Sequence, residues 1–99
     1  MENSIVSDIE VFLEANKDSK GRLLVVFGKD VIHRSKADPL EVVITRLYGL
    51  MQSLSEEPVG SVKRYVDFNS EGVPVFIPFN LLRSSLFQIE VVQPEATLH

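Results

Sequence analysis

The sequence predicts a small α+β domain of about five strands, in an antiparallel or mixed sheet, with two main helices in the order α-β-β-α-β-β-(turn)-β. Three observations carry this. Leu23 to Phe27 is apolar at five consecutive positions between Gly21 and Gly28. Apolar residues from Leu40 to Leu54 recur at alternating steps of three and four. From Ser61 to Phe79, two alternating stretches flank the turn Asn69-Ser70-Glu71-Gly72.

The first helix is expected over Ile5 to Lys17. Ile5, Val6, Ile9, Phe12 and Leu13 fall on one side, and Ser7 to Glu10 fits a capping box, although a start at Asn3 or Ser4 suits the period better. A polar loop ending in Gly21 leads into Leu23 to Phe27. Neighbouring side chains of a strand point to opposite faces, so an unbroken apolar run asks for cover on both and marks the central strand. Gly28-Lys29-Asp30 is a turn, and the more polar Val31 to Ser35 is its hairpin partner, placed nearer an edge.

Asp38-Pro39-Leu40-Glu41 reads as a helix start, with Asp38 as cap, Pro39 at the first helical position and Glu41 at the third. Leu40, Val43, Ile44, Leu47, Leu50, Met51 and Leu54 form its buried stripe. The β-branched run Val42 to Thr45 favours a strand locally. A period sustained over four turns outweighs propensities of a few tenths of a kcal/mol.

Val62, Val66 and Phe68 alternate with Ser61, Lys63, Tyr65 and Asp67, and the second set is expected on a solvated face. In the returning arm, the outward amides of Pro74, Phe76 and Pro78 would point to one neighbour, and two of them do not exist. That arm is therefore an edge strand paired on one side only. Val73, Val75, Ile77 and Phe79 belong to the core. Asn80 caps a short turn through Arg83, Phe87 to Val91 alternates as a last strand, and residues 93–99 form a flexible tail after a single domain over residues 1–92.

Composition excludes several functions. The 99 residues contain no cysteine, which removes disulfides, thiolate metal sites and cysteine nucleophiles. A cytoplasmic setting is expected. The net charge of −4 repels phosphate backbones and anionic lipid, so neither nucleic acid nor membrane is an expected partner. The acidic N-terminus is unlike a signal peptide, and the uncharged stretch Val73 to Leu82 is too short to span a bilayer. Lys63 to Phe68 alternates basic and aromatic residues, but it lacks the glycines and aromatic positions of an RNA-stacking strand.

The candidate chemistry is sparse. His33, with Asp30, Arg34 and Asp38 nearby in sequence, is the one candidate general base, and no nucleophile motif accompanies it. Its plain alternative is a partly exposed histidine in a polar hairpin. The two histidines, His33 and His99, do not make a metal site, and the scattered glycines match no phosphate-binding spacing. No catalytic, cofactor-binding or metal residue is assigned, and no cofactor is expected.

Two surface features remain. Pro74, Phe76 and Pro78 set an aromatic between two prolines on one face of an edge strand. Arg64 lies on an otherwise apolar face, an environment typical of interface centres. These four residues define the expected interface of a non-enzymatic interaction or regulatory module, homodimeric or bound to another protein. Two helices cannot cover both faces of the sheet, and association supplies the missing cover. The rival readings are a small-ligand domain with a pocket lined by Phe27, Tyr65, Phe68 and Phe76, and a small acid–base enzyme centred on His33.

Overall fold

The computed structural model describes the backbone of residues 4–92 and the side chains of residues 10–92. Helix α1 (Ser4–Ala15) leads into strand β1 (Lys20–Phe27), β2 (Asp30–Arg34) and a two-residue β3 (Asp38–Pro39). Helix α2 (Leu40–Glu56) follows, then the hairpin β4 (Arg64–Phe68) and β5 (Pro74–Pro78), a short α3 (Phe79–Arg83) and β6 (Leu86–Val92). The fold is α+β, as the sequence indicates, with three helices and six antiparallel strands among the described residues.

The strands form two sheets rather than the one expected. In the larger sheet β1 is central, with β6 along one side and β2 and β3 along the other. The β4–β5 hairpin is a separate two-stranded sheet, joined to the first by a bridge between Ser35 and Asn69. The Lys36 amide also donates to the Phe68 carbonyl at 3.1 Å.

Gly28 holds φ 64° at the first of two loop positions between β1 and β2, the arrangement of a type II′ hairpin turn. That turn pairs Phe27 with Asp30 and Val26 with Val31, but the next pair is Val25 with His33. Ile32 is therefore the extra residue of a β-bulge. Without it, His33 would stand opposite Leu24 on the other face. The bulge turns the His33 side chain inward.

The core lies on one face of β1. Leu23 and Val25 are fully buried and pack with Val43 and Leu50 of α2, Phe79 and Leu82 of α3, and Ile77 of β5. Arg83 ties α3 to the end of α2, its guanidinium donating to the Leu54 and Glu57 carbonyls at 3.1 and 2.8 Å. A cation at the carbonyl end of a helix is electrostatically favoured there.

The opposite face of the sheet is less covered. Leu24 and Val26 are half-buried, Val31 and Leu86 are exposed, and an Arg34–Glu90 ion pair of 2.7 Å spans it from β2 to β6.

Several sequence expectations are corrected. Asp38 does not cap α2: Pro39 stands at the cap without a side-chain bond, because the Asp38 carboxylate is held by Lys36 and Arg46. Met51 of the expected stripe is exposed, as is Phe12 of α1. Asn80 lies within α3, whose cap position is Pro78. Val73 is exposed rather than core. The tail over residues 93–99 lies outside the described residues.

Candidate interaction surface

The β4–β5 hairpin carries the four residues singled out above. Its turn is closed by Asn69, whose Oδ1 accepts from the amides of Glu71 and Val73 at 2.9 and 3.0 Å, while Gly72 takes φ 81°. The ladder is bracketed by Asn69 N to Val73 O at 2.9 Å and Phe79 N to Lys63 O at 3.0 Å. Hydrogen-bonded pairs in an antiparallel ladder recur every second residue, so Val75 and Ile77 turn their amides toward β4. Positions 74, 76 and 78 face the free edge, where the two prolines leave only Phe76 with an amide to offer. The edge resists a further strand, as the sequence indicates.

The hairpin's faces are the reverse of the expectation for β4. Tyr65 and Asp67 point inward, whereas Arg64, Val66 and Phe68 point outward. In register, Arg64 stands opposite Pro78, Val66 opposite Phe76, and Phe68 opposite Pro74. All six outward residues are exposed, with Val66 at 53%, Phe68 at 46% and Phe76 at 57%. The structure thus brings Arg64, Pro74, Phe76 and Pro78 onto one surface and adds Val66 and Phe68 to it. Among the described residues, no helix covers Phe76.

Beneath this surface lies a buried polar cluster that holds the hairpin in place. His33 Nε2 is 2.9 Å from Asp67 Oδ2, with the histidine side chain fully enclosed. Asp67 also accepts the Tyr65 hydroxyl at 3.3 Å and the Phe68 amide at 2.8 Å. Arg46 reaches from α2 to Asp38 at 2.9 Å and to Asp67 at 3.9 Å, and Lys36 donates to Asp38 at 3.0 Å. Burial by itself raises the Asp67 carboxyl. The His33 hydrogen bond, the Phe68 amide and the Arg46 charge outweigh it and hold Asp67 below the usual carboxylate value. Asp38 is likewise lowered, its desolvation outweighed by Arg46 and Lys36. Burial, reinforced by the Asp67 charge, drives the Tyr65 phenol well above its ordinary value, so it stays a hydrogen-bond donor.

This geometry corrects the reading of His33 as partly exposed. Its ring is buried and its partner is Asp67, not Asp30, Arg34 or Asp38. The ring meets Asp67 through Nε2, and Nδ1 is buried without a hydrogen-bond partner. Neither ring nitrogen reaches the surface. Arg46 Nη1 is also buried without a hydrogen bond, 3.9 Å from Asp67.

The aromatic pocket of the ligand-binding reading is not assembled. Phe68 and Phe76 are on the hairpin's outer face, Tyr65 is on its inner face, and Phe27 is at the exposed end of β1. A depression of about 680 Å³ lies along α2 and is lined by Leu13, Val42, Ile44, Thr45, Arg46 and Tyr48 among others. None of those four aromatics lines it.

No helix among the described residues is long and apolar enough to cross a membrane. Comparison with protein-family models, with curated proteins and with solved structures finds no significant match.

Proposed function

We propose that this protein is a non-enzymatic interaction module that self-associates through the outer face of the β4–β5 hairpin. The observation that carries the reading is the half-exposure of Val66, Phe68 and Phe76 side by side on a face flanked by Pro74 and Pro78. Contiguous exposed apolar surface of this kind marks interaction sites on soluble proteins. Fully burying one phenylalanine is worth about 1.5–3 kcal/mol, so two such rings on each copy contribute substantially to association. The enclosed His33 favours a scaffold over an acid–base enzyme. A chain without cysteine needs no oxidising compartment, in keeping with a cytoplasmic setting.

The test is sedimentation of the parent and of Phe76→Glu over a range of concentrations, with circular dichroism to show that both are folded. The parent is expected to run as a dimer and the variant as a folded monomer. A parent that stays monomeric at high micromolar concentration overturns the reading.

A further inference from the structure

We infer that the free edge of β6 is a second self-association surface, which pairs antiparallel with β6 of another copy about a two-fold axis at Ile89. This goes beyond the hairpin contact and is carried by a different observation, the backbone of the main sheet. Among the described residues β6 pairs only with β1, and the hairpin is joined to the sheet at its other margin, through Ser35 just beyond β2. The β1 ladder shows which backbone groups are left over. The Leu23 carbonyl accepts from the Ser35 amide at 2.9 Å and the Leu23 amide donates to Ser35 Oγ at 2.7 Å, so Leu23 turns its backbone away from β6. Alternation then gives the β6 ladder to Arg22, Leu24 and Val26, which stand opposite Glu90, Gln88 and Leu86. Phe87, Ile89 and Val91 present their amides and carbonyls to the open edge. In contrast to β5, this strand has no proline, no lysine and no break of register to blunt it. Its one charged residue, Glu90, is tied back to Arg34.

The side chains of the strand match a second copy of itself. The two-fold register centred on Ile89 pairs all seven residues of β6. It sets Phe87 against Val91 and Ile89 against Ile89, each pair exchanging both backbone hydrogen bonds. These residues share the core face of β1, where Phe87 and Ile89 are only partly buried in the single chain and gain cover from the added strand. On the other face Leu86, 67% exposed, meets Val92, and Gln88 meets Glu90. Gln88 and Arg34 both stand opposite Leu24, and Arg34 reaches Glu90 at 2.7 Å, so all of these groups lie on that face. A register centred on Glu90 instead sets two carboxylates opposite each other and pairs fewer residues. The edge exposes fewer large apolar groups than the hairpin face, so its contact is the weaker one and joins hairpin dimers when the chain is concentrated.

The test uses Phe76→Glu, which lacks the hairpin contact, concentrated into the millimolar range and followed by amide hydrogen exchange and sedimentation. When it is dilute, the amides of Phe87, Ile89 and Val91 are expected to exchange fast, while those of Gln88 and Glu90 are held by β1. On concentration the first set is expected to become protected as a dimer forms. Gln88 is exposed, so circular dichroism is expected to show unchanged folding when it is replaced. Gln88→Glu meets the partner's Glu90 twice and is expected to weaken this dimer roughly tenfold, and Gln88→Lys to strengthen it by a similar factor, a scale set by two cross-strand charge pairs. Edge amides that stay unprotected at every concentration overturn the inference, as do edge amides already protected in the dilute chain. Equal association of the two Gln88 variants overturns the register. A parent that is monomeric in the micromolar range removes the hairpin contact, and the same exchange measurement on that parent still decides the β6 edge.

Discussion

His33 and Asp67 are in hydrogen-bond contact at 2.9 Å although they belong to different sheets, one on β2 and the other on β4. The contact is the buried polar link that fixes the hairpin against the main sheet, and its weight can be measured. Asp67→Ala leaves the enclosed His33 ring without its partner, while Arg46 keeps its bond to Asp38. The expected loss is about 1–3 kcal/mol, the penalty for leaving a buried polar partner unsatisfied. Urea unfolding of the single variants and of the Asp67→Ala/His33→Ala pair should show strong non-additivity, since the two share one contact. Additive losses would mean that the residues act independently.

The same cluster sets the acid sensitivity of the fold. Asp67 and Asp38 both have depressed carboxyl pKa values in the folded state. Their contribution is therefore fully present above the unfolded value of about 3.9 and is lost as pH falls through the folded values. Stability should decline below about pH 4, with proton uptake on unfolding. Asp67→Asn should lower stability at neutral pH and make that acid decline shallower, as measured by urea midpoints across the pH range. An equally steep decline in the variant would remove Asp67 from the account.

On α2, Leu50 and Met51 are neighbours in sequence, but only Leu50 is buried: it is 4% exposed and Met51 is 49% exposed. Leu50→Ala is expected to cost about 2–5 kcal/mol, the range for truncating a core leucine. Met51→Ala should stay within about 0.5 kcal/mol, as for a surface position. Chemical denaturation of the two variants side by side checks the contrast, and comparable losses would place Met51 against a partner.

Much of the architecture was legible because it depends on local pattern. The run Leu23 to Phe27 marks the central strand, the steps of three and four from Leu40 mark α2, and Pro74 with Pro78 marks the free edge. The outward placement of Phe76 follows from its alternation with Val75 and Ile77. What was not legible depends on distant partners. Tyr65 and Asp67 look like solvated residues until His33, 34 positions away, supplies a buried partner. His33 in turn faces inward only because Ile32 is bulged, and one extra residue reverses every facing that alternation would assign. Asp38 has the composition of a cap, but two cations compete for its oxygens, and one of them arrives from α2. Val66 and Phe68 are exposed because Tyr65 and Asp67 take the inner face of β4, so the sequence identified only the β5 half of the surface together with Arg64.

The ladder between β1 and β6 joins strands near opposite ends of the described chain, with Lys20 against Val92 and Val26 against Leu86. A loop of that length must close before the central strand gains its second neighbour, and long-range closure of this kind slows folding. On the ribosome, α2 and the β4–β5 hairpin are free to form early from contacts close in sequence. β1 must wait with one edge open until β6 has emerged, and only then can the central ladder close. Until that moment an apolar strand edge is exposed to other chains, and this late step is where misassembly of the nascent protein would begin.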